Sequence, residues 1–157
     1  MADNGHYMQE ALKEALHGVH HNHGGPFGAV IVRGGEIIAR AHNEVIHTND
    51  PTAHAEIVAI RRASLVVNSF DLHDCVLYTT CEPCPMCFAA IHWAKISRVY
   101  YGCTRKDAAE IGFDDEYIYE VIKGTAKQPR VEMLCTCHDE CRAAFREWEQ
   151  KEDKVMY

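Results

Sequence analysis

Two short motifs, His54-Ala55-Glu56 and Pro83-Cys84-Pro85-Met86-Cys87, constrain this chain more than any other feature. Together they offer three metal-binding side chains and one carboxylate that the metal does not need. Cys84 and Cys87, three residues apart, stand on one face of a helical turn. His54 comes from a distant segment, so the fold must bring two helix starts together to complete the ligand set. Zinc sites with three protein ligands keep a fourth position for water, whose pKa falls to about 7. The pattern therefore points to hydrolysis, with Glu56 free to move protons.

The spacing carries a geometric condition. Residues two apart on a helix point to nearly opposite sides, so His54 and Glu56 can serve one ion only if it lies off the helix N-terminus. Asp50 reads as the N-cap of that helix and Pro51 as its first residue, with Ile57, Val58 and Ile60 continuing as a buried apolar run. Pro83 and Pro85 suit the opening turn of a second helix, whose amide dipoles favour the thiolates of Cys84 and Cys87. Two competing readings use the same cysteines without hydrolysis. One is a closed structural zinc site with Cys81 as fourth ligand, and the other a redox C-x-x-C. Neither has a use for Glu56, and Cys81 also suits the end of the strand 76–80.

The chain has 157 residues, 47% of them hydrophobic, enough for one domain (1–157) with a real core. The opening residues form no apolar run and no later stretch is long enough to span a membrane, so the expected compartment is the cytoplasm. Eight cysteines grouped as C-x-x-C in such a chain indicate thiolates and metal in preference to disulfides. Sixteen Lys and Arg against 23 Asp and Glu give a formal charge of −7, which argues against a nucleic acid and for a small-molecule substrate.

Periodicity places a first helix over 7–19, with Met8, Leu12, Ala15, Leu16 and Val19 on its buried face. A hairpin follows, with strands 27–33 and 36–43 joined at Gly34-Gly35. The His54 helix, a strand 75–80, the Cys84 helix to about Lys95 and a strand 97–101 succeed one another as α/β with parallel pairing. Beyond Arg105 come short helices, one over 115–122, then a strand 130–134. A last helix over 138–150 carries Cys141, Ala144, Phe145 and Trp148 on one stripe.

The motif His-x-Glu followed by Pro-Cys-x-x-Cys is that of the zinc-dependent nucleobase deaminases. Gly25-Pro26-Phe27-Gly28-Ala29-Val30, Asn43, Asp50-Pro51-Thr52-Ala53-His54-Ala55-Glu56, Cys81-Glu82-Pro83-Cys84-Pro85-Met86-Cys87 and Gly112-Phe113-Asp114-Asp115 extend the likeness over nearly the whole chain. In that order and spacing the chain resembles the bacterial guanine deaminases of the cytidine deaminase superfamily. The resemblance implies a three-layer α/β/α sandwich around a mixed five-stranded sheet, and hydrolysis of guanine to xanthine and ammonia with one Zn2+ per chain. It implies His54, Cys84 and Cys87 as zinc ligands, Glu56 as proton shuttle and Asp115 as a second acid. Phe27, Asn43 and Trp93 would line the purine site. It further implies a homodimer that exchanges the C-terminal segment 137–157, so that helix 138–150 packs on the partner and Tyr157 closes the neighbour's site.

Read without the resemblance, several of these residues have other uses. Asp114 and Asp115 begin a helix and suit capping; Phe27 and Trp93 suit a core; Asn43 suits a turn; Tyr157 suits an unstructured end. Cys135, Cys137, His138 and Cys141 could hold a second metal, although small apolar packing accounts for them. His17, His20, His21 and His23 suit the C-terminal end of the first helix. Guanosine, tRNA adenosine and amino-triazine deamination remain the alternatives among enzymes, and a zinc or redox module the alternative outside them.

Overall fold

In the computed structural model, residues 4–128 and 130–157 are described. The elements in chain order are α1 Asn4–His20, β1 Gly28–Arg33, β2 Glu36–His42, α2 Val45–Thr48, α3 Ala55–Val67 and β3 Cys75–Cys81. They continue as α4 Pro85–Trp93, β4 Arg98–Cys103, α5 Arg105–Glu110, α6 Glu116–Lys123 and α7 His138–Gln150. Gly34 and Gly35, at φ 58° and 89°, make the expected tight turn, and β1 and β2 run antiparallel from Arg33 opposite Glu36. β1 also pairs antiparallel with β3, and β3 pairs parallel with β4 across the α4 crossover. The sheet is therefore mixed, in the order β2-β1-β3-β4.

Alternation along β1 divides the core in two. Ala29 and Ile31 face α3 and α4, where Ala55, Ala59, Ala63 and Ile91 are buried with them. Val30 and Val32 face α1 and pack with Tyr7, Ala11 and Tyr78. Three layers result. Ion pairs such as Arg33 with Asp74 and Arg61 with Asp50 have partly exposed partners, and such pairs contribute about 0–1 kcal/mol each, so these apolar layers hold the fold.

Three expectations are corrected. Among the described residues the sheet has four strands, not five: 130–134 is irregular, pairs with neither edge strand, β2 or β4, and leaves Val131, Met133 and Leu134 exposed. α1 buries Tyr7, Ala11, Ala15 and Gly18, while Leu12, Leu16 and Val19 stay exposed. Close approach decided this face, since a Cβ on Gly28 would lie 2.1 Å from the Ala11 carbonyl oxygen and 2.5 Å from the Ala15 nitrogen. Only small residues fit there. Finally, α3 begins at Ala55 with His54 as N-cap, not at Asp50. The Asp50 carboxylate accepts hydrogen bonds from the Thr52 backbone N–H (2.8 Å) and hydroxyl (2.6 Å), which forms a turn where the helix would have started.

Among the described residues no helix is long and apolar enough to cross a membrane. Neither α6 nor α7 buries a residue on this chain. The Gly28 contact yields a prediction: Gly28→Ala forces α1 off the sheet and lowers stability by about 3 kcal/mol, read as a shift in the urea midpoint at unchanged slope.

Candidate metal and catalytic site

Two helix N-termini meet at the site. His54 is the N-cap of α3 and Cys84 the N-cap of α4, both with extended backbone, and neither side chain makes a capping hydrogen bond. An N-cap side chain ordinarily bends back onto its own helix amides. These two point away from their helices, with Pro85 at the first position of α4 and Cys87 on its first turn. His54 Nδ1 lies 3.5 Å from Cys84 Sγ and 3.6 Å from Cys87 Sγ, and the three ligand atoms fall within 4.8 Å of one another. A tetrahedral zinc with bonds of about 2.3 Å to sulfur and about 2.05 Å to nitrogen separates adjacent S and N ligands by about 3.6 Å. The observed edges match that separation, so the donor set fits zinc as it stands.

The thiols are tuned apart. Cys84 is held down to about 4, first by the hydrogen bond from Cys87 and then by His54, against the burial that opposes it. Cys87 moves up, because it donates to that thiolate and is itself buried beside Glu56. His54 in turn is raised by its contact with Cys84. Cys81 behaves differently. Its thiol points at the Thr104 carbonyl oxygen, 3.7 Å away, and burial pushes it up to about 11. It stands outside the three-ligand group, so the geometry does not support a closed four-ligand site.

Glu56 enters from the first turn of α3 and is 5% exposed. Thr79, fully buried on β3, donates its hydroxyl to Glu56 Oε1 at 2.9 Å, and Cys87 Sγ approaches Oε2 at 3.4 Å. Burial raises the carboxyl above its ordinary range and outweighs these hydrogen bonds. A proton carrier near neutrality needs such a shift.

A cavity of about 590 Å³ opens onto this group. Phe27 and Phe113 meet edge to face there, with ring centroids 5.0 Å apart. Asn43 Oδ1 accepts from the Val45 N–H at 3.1 Å, which leaves the side-chain NH2 as a donor to the cavity. Asp115 also lines it and makes no cap; Asp114 Oδ1 instead accepts from the Glu116 N–H at 3.0 Å. Desolvation raises the Asp115 carboxyl.

Trp93 and Tyr157 do not line the cavity of their own chain. They touch each other at its surface, with centroids 5.9 Å apart and exposures of 65% and 70%. Cys135, Cys137, His138 and Cys141 are exposed, and no three of them gather as ligands among the described residues. Thr79 and Arg105 escaped the sequence reading. Thr79 looks like any strand residue and Arg105 like any surface cation at a helix start. Its guanidinium lies 4.2 Å over the Tyr119 ring and leaves Nη1 buried without a hydrogen bond.

The raised Glu56 carboxyl has a consequence for the protein with its metal chelated away. The unfolded group titrates near 4.3 and the folded one higher, so its contribution is fully present below about 4.3 and is lost as pH rises through the folded value. Glu56→Gln removes that loss. Denaturant titrations from pH 4 upward should show the variant gaining on the wild type as pH rises; parallel curves would refute the buried, raised carboxyl.

Guanine deaminase of Bacillus subtilis (strain 168) is 45% identical to this chain over 151 residues, 96% of this chain and 97% of that one. The X-ray structure of guanine deaminase from Bacillus subtilis superposes with a TM-score of 0.92 over 98% of both chains, at 44% identity. The tRNA-specific adenosine deaminase of Agrobacterium fabrum is 46% identical over a shorter stretch, 102 residues, covering 65% of this chain and 66% of its own. Residues 1–103 match the family described as the cytidine and deoxycytidylate deaminase zinc-binding region, and the chain belongs to that family.

Proposed function

We infer that this chain is a zinc-dependent aminohydrolase that converts guanine and water to xanthine and ammonia. The observation that carries this reading is the place of Asp115: it comes from beyond the matched zinc-binding region and lines the same cavity as Glu56 and His54. The likeness to a guanine deaminase, at 45% identity over 96% of this chain, supports it more than the likeness to tRNA-specific adenosine deaminases, which align over 65% to 82% of the chain at 36–46% identity. The net charge of −7 also suits a small purine better than a polyanion. The eight free cysteines fit a reducing compartment, the cytoplasm.

His54, Cys84 and Cys87 would hold zinc, which when bound would supply an acidified water as nucleophile. Phe27 and Phe113 bind the flat purine, and the Asn43 amide orients it by donating to a ring acceptor. Glu56 takes a proton from the attacking water and delivers it to the ring nitrogen beside carbon 2, which makes that carbon electrophilic. Oxygen bonds to carbon 2; as the carbon–nitrogen bond breaks, Asp115 gives its proton to the amino group, Glu56 takes the remaining hydroxyl proton so that the carbonyl forms, and after ammonia leaves that proton passes back to Asp115, which restores both carboxyls. Thr79 holds Glu56 in line between these positions.

The decisive experiment measures ammonia release from guanine, guanosine, adenine, cytidine and tRNA. Release from guanine is expected, and Glu56→Ala should lose about 10²–10⁴ of the rate while keeping its zinc. Release from guanosine or tRNA with silence on guanine would move the substrate assignment and leave the hydrolytic reading intact. Near-normal turnover in Glu56→Ala would remove the proton shuttle.

We further propose a homodimer that exchanges 137–157. α7 has a strongly two-sided sequence yet buries no residue on its own chain, and Trp93 and Tyr157 form an exposed aromatic pair at the end of the segment. In the exchanged dimer Tyr157 reaches the partner's cavity. Mixing Glu56→Ala chains with chains truncated after Met156, under conditions that scramble subunits, tests this: each mixed dimer has one complete site, the truncated chain's Glu56 closed by Tyr157 of the other. Activity should appear from two inactive parents. No recovery in a verified mixed dimer would overturn the exchange.

A further inference from the structure

We propose that His17, His23 and His42 form a second metal site, for a divalent first-row transition ion that prefers imidazole, of which zinc is the natural occupant. The three side chains come from the last turn of α1, the loop after it and the end of β2, and their ligand nitrogens lie within 4.8 Å of one another. His42 is buried, His23 half-buried and His17 exposed, so the group opens from the α1 face of the sheet toward solvent. His21 and His47 flank it, with ring centroids 4.1 Å from His17 and 4.3 Å from His23.

Tautomers favour the site. Glu14 Oε2 lies 3.1 Å from His42 Nδ1, and a carboxylate there accepts, so Nδ1 carries the proton and Nε2 keeps its lone pair. A histidine whose far N–H is held by a carboxylate is the usual form of a metal-bound imidazole. His42 Nε2 in turn faces His23 Nδ1 at 2.8 Å, where one shared proton now joins them. An ion about 2.1 Å from each nitrogen separates them by about 3.0–3.4 Å, so the pair opens by a few tenths of an ångström as the ion replaces the proton. Glu44 Oε1, paired with Arg62 at 2.6 Å, stands a further 4.0 Å from His42 Nε2.

The site backs onto the cavity. His42 turns toward α1, where a Cβ on Gly18 would meet its ring at 2.8 Å, while the next residue, Asn43, lines the cavity. The His23 carbonyl oxygen accepts from the N–H groups of Ile46 and His47 at 3.0 Å, and Ile46 is part of the cavity wall. An ion here would fasten the α1 end, the His23 loop and this wall together.

The test uses the full chain with its first zinc in place. Dialysis against buffered free zinc should leave two zinc ions per wild-type chain and one per chain of His17→Ala/His23→Ala. The second equivalent should raise the wild-type unfolding midpoint by about 5–10 °C at a hundredfold excess over Kd, and leave the double variant unmoved. With cobalt, the second equivalent should add ligand-field bands without new thiolate charge transfer. Should the double variant fold poorly, Glu14→Gln keeps all three nitrogens and should weaken the second site about 10–100-fold. Saturation of the wild type at one ion, retention of two by the double variant, new thiolate charge transfer, or undiminished affinity in Glu14→Gln would each overturn the proposal.

Discussion

Two helix starts held end to end around one triad of soft donors are the constraint on which the remaining structure depends. His54 and Cys84 occupy positions where a capping residue would normally satisfy its own helix, and each gives up that local bond to aim outward. The loss of two caps costs about 1 kcal/mol each, and binding a metal at the group offsets it, because metal-binding free energy adds to folding free energy. The metal-binding geometry therefore outweighs the capping preference. The sheet makes it possible, since β3 leads directly into α4 and its neighbour β1 carries β2 and, through the following loop, α3 to the same site.

Glu56 shows how the same region manages an expensive group. Burying an ionised carboxylate costs several kcal/mol, while a hydrogen bond to a charged group returns about 1.5–3. Thr79 and Cys87 contribute two such contacts and do not close the gap, so the carboxyl stays raised. Its two oxygens are held by different elements, β3 and α4, which fixes the carboxylate plane between metal site and cavity. A looser glutamate would recover solvation and lose its shifted affinity for the proton.

The two halves of the molecule differ in how they are secured. From α1 to β4 the layers interlock through small residues: Gly28 against Ala11 and Ala15, Gly18 against His42, and the alanines of α3 against Ala29 and Ala41. After α5 the chain lacks such contacts, and α6 and α7 leave their apolar residues at the surface. The cavity nonetheless needs this second half, because Phe113, Asp115 and Ile118 complete its wall. The candidate metal ligands and Glu56 lie in the first half, and the cavity wall is shared by both.

The sequence by itself determined the candidate ligand set, the carboxylate beside it, the Gly34-Gly35 hairpin and the succession of strand and helix around the motifs. Those features are local: spacing within a turn, alternation along a strand and the φ freedom of glycine fix them without distant partners. Tertiary structure decided the rest. Asp50 could cap a helix or close a turn, and Thr52 made it a turn. The apolar stripe of α1 was legible, yet backbone contact at Gly28 selected the alanine face instead. Segment 130–134 has the composition of a strand but pairs with neither edge of the sheet. Thr79, Arg105 and the histidines at 17, 23 and 42 carry no sequence pattern that links them to a site, because side chains far apart in the chain acquire a shared environment only when the sheet and α1 are packed together.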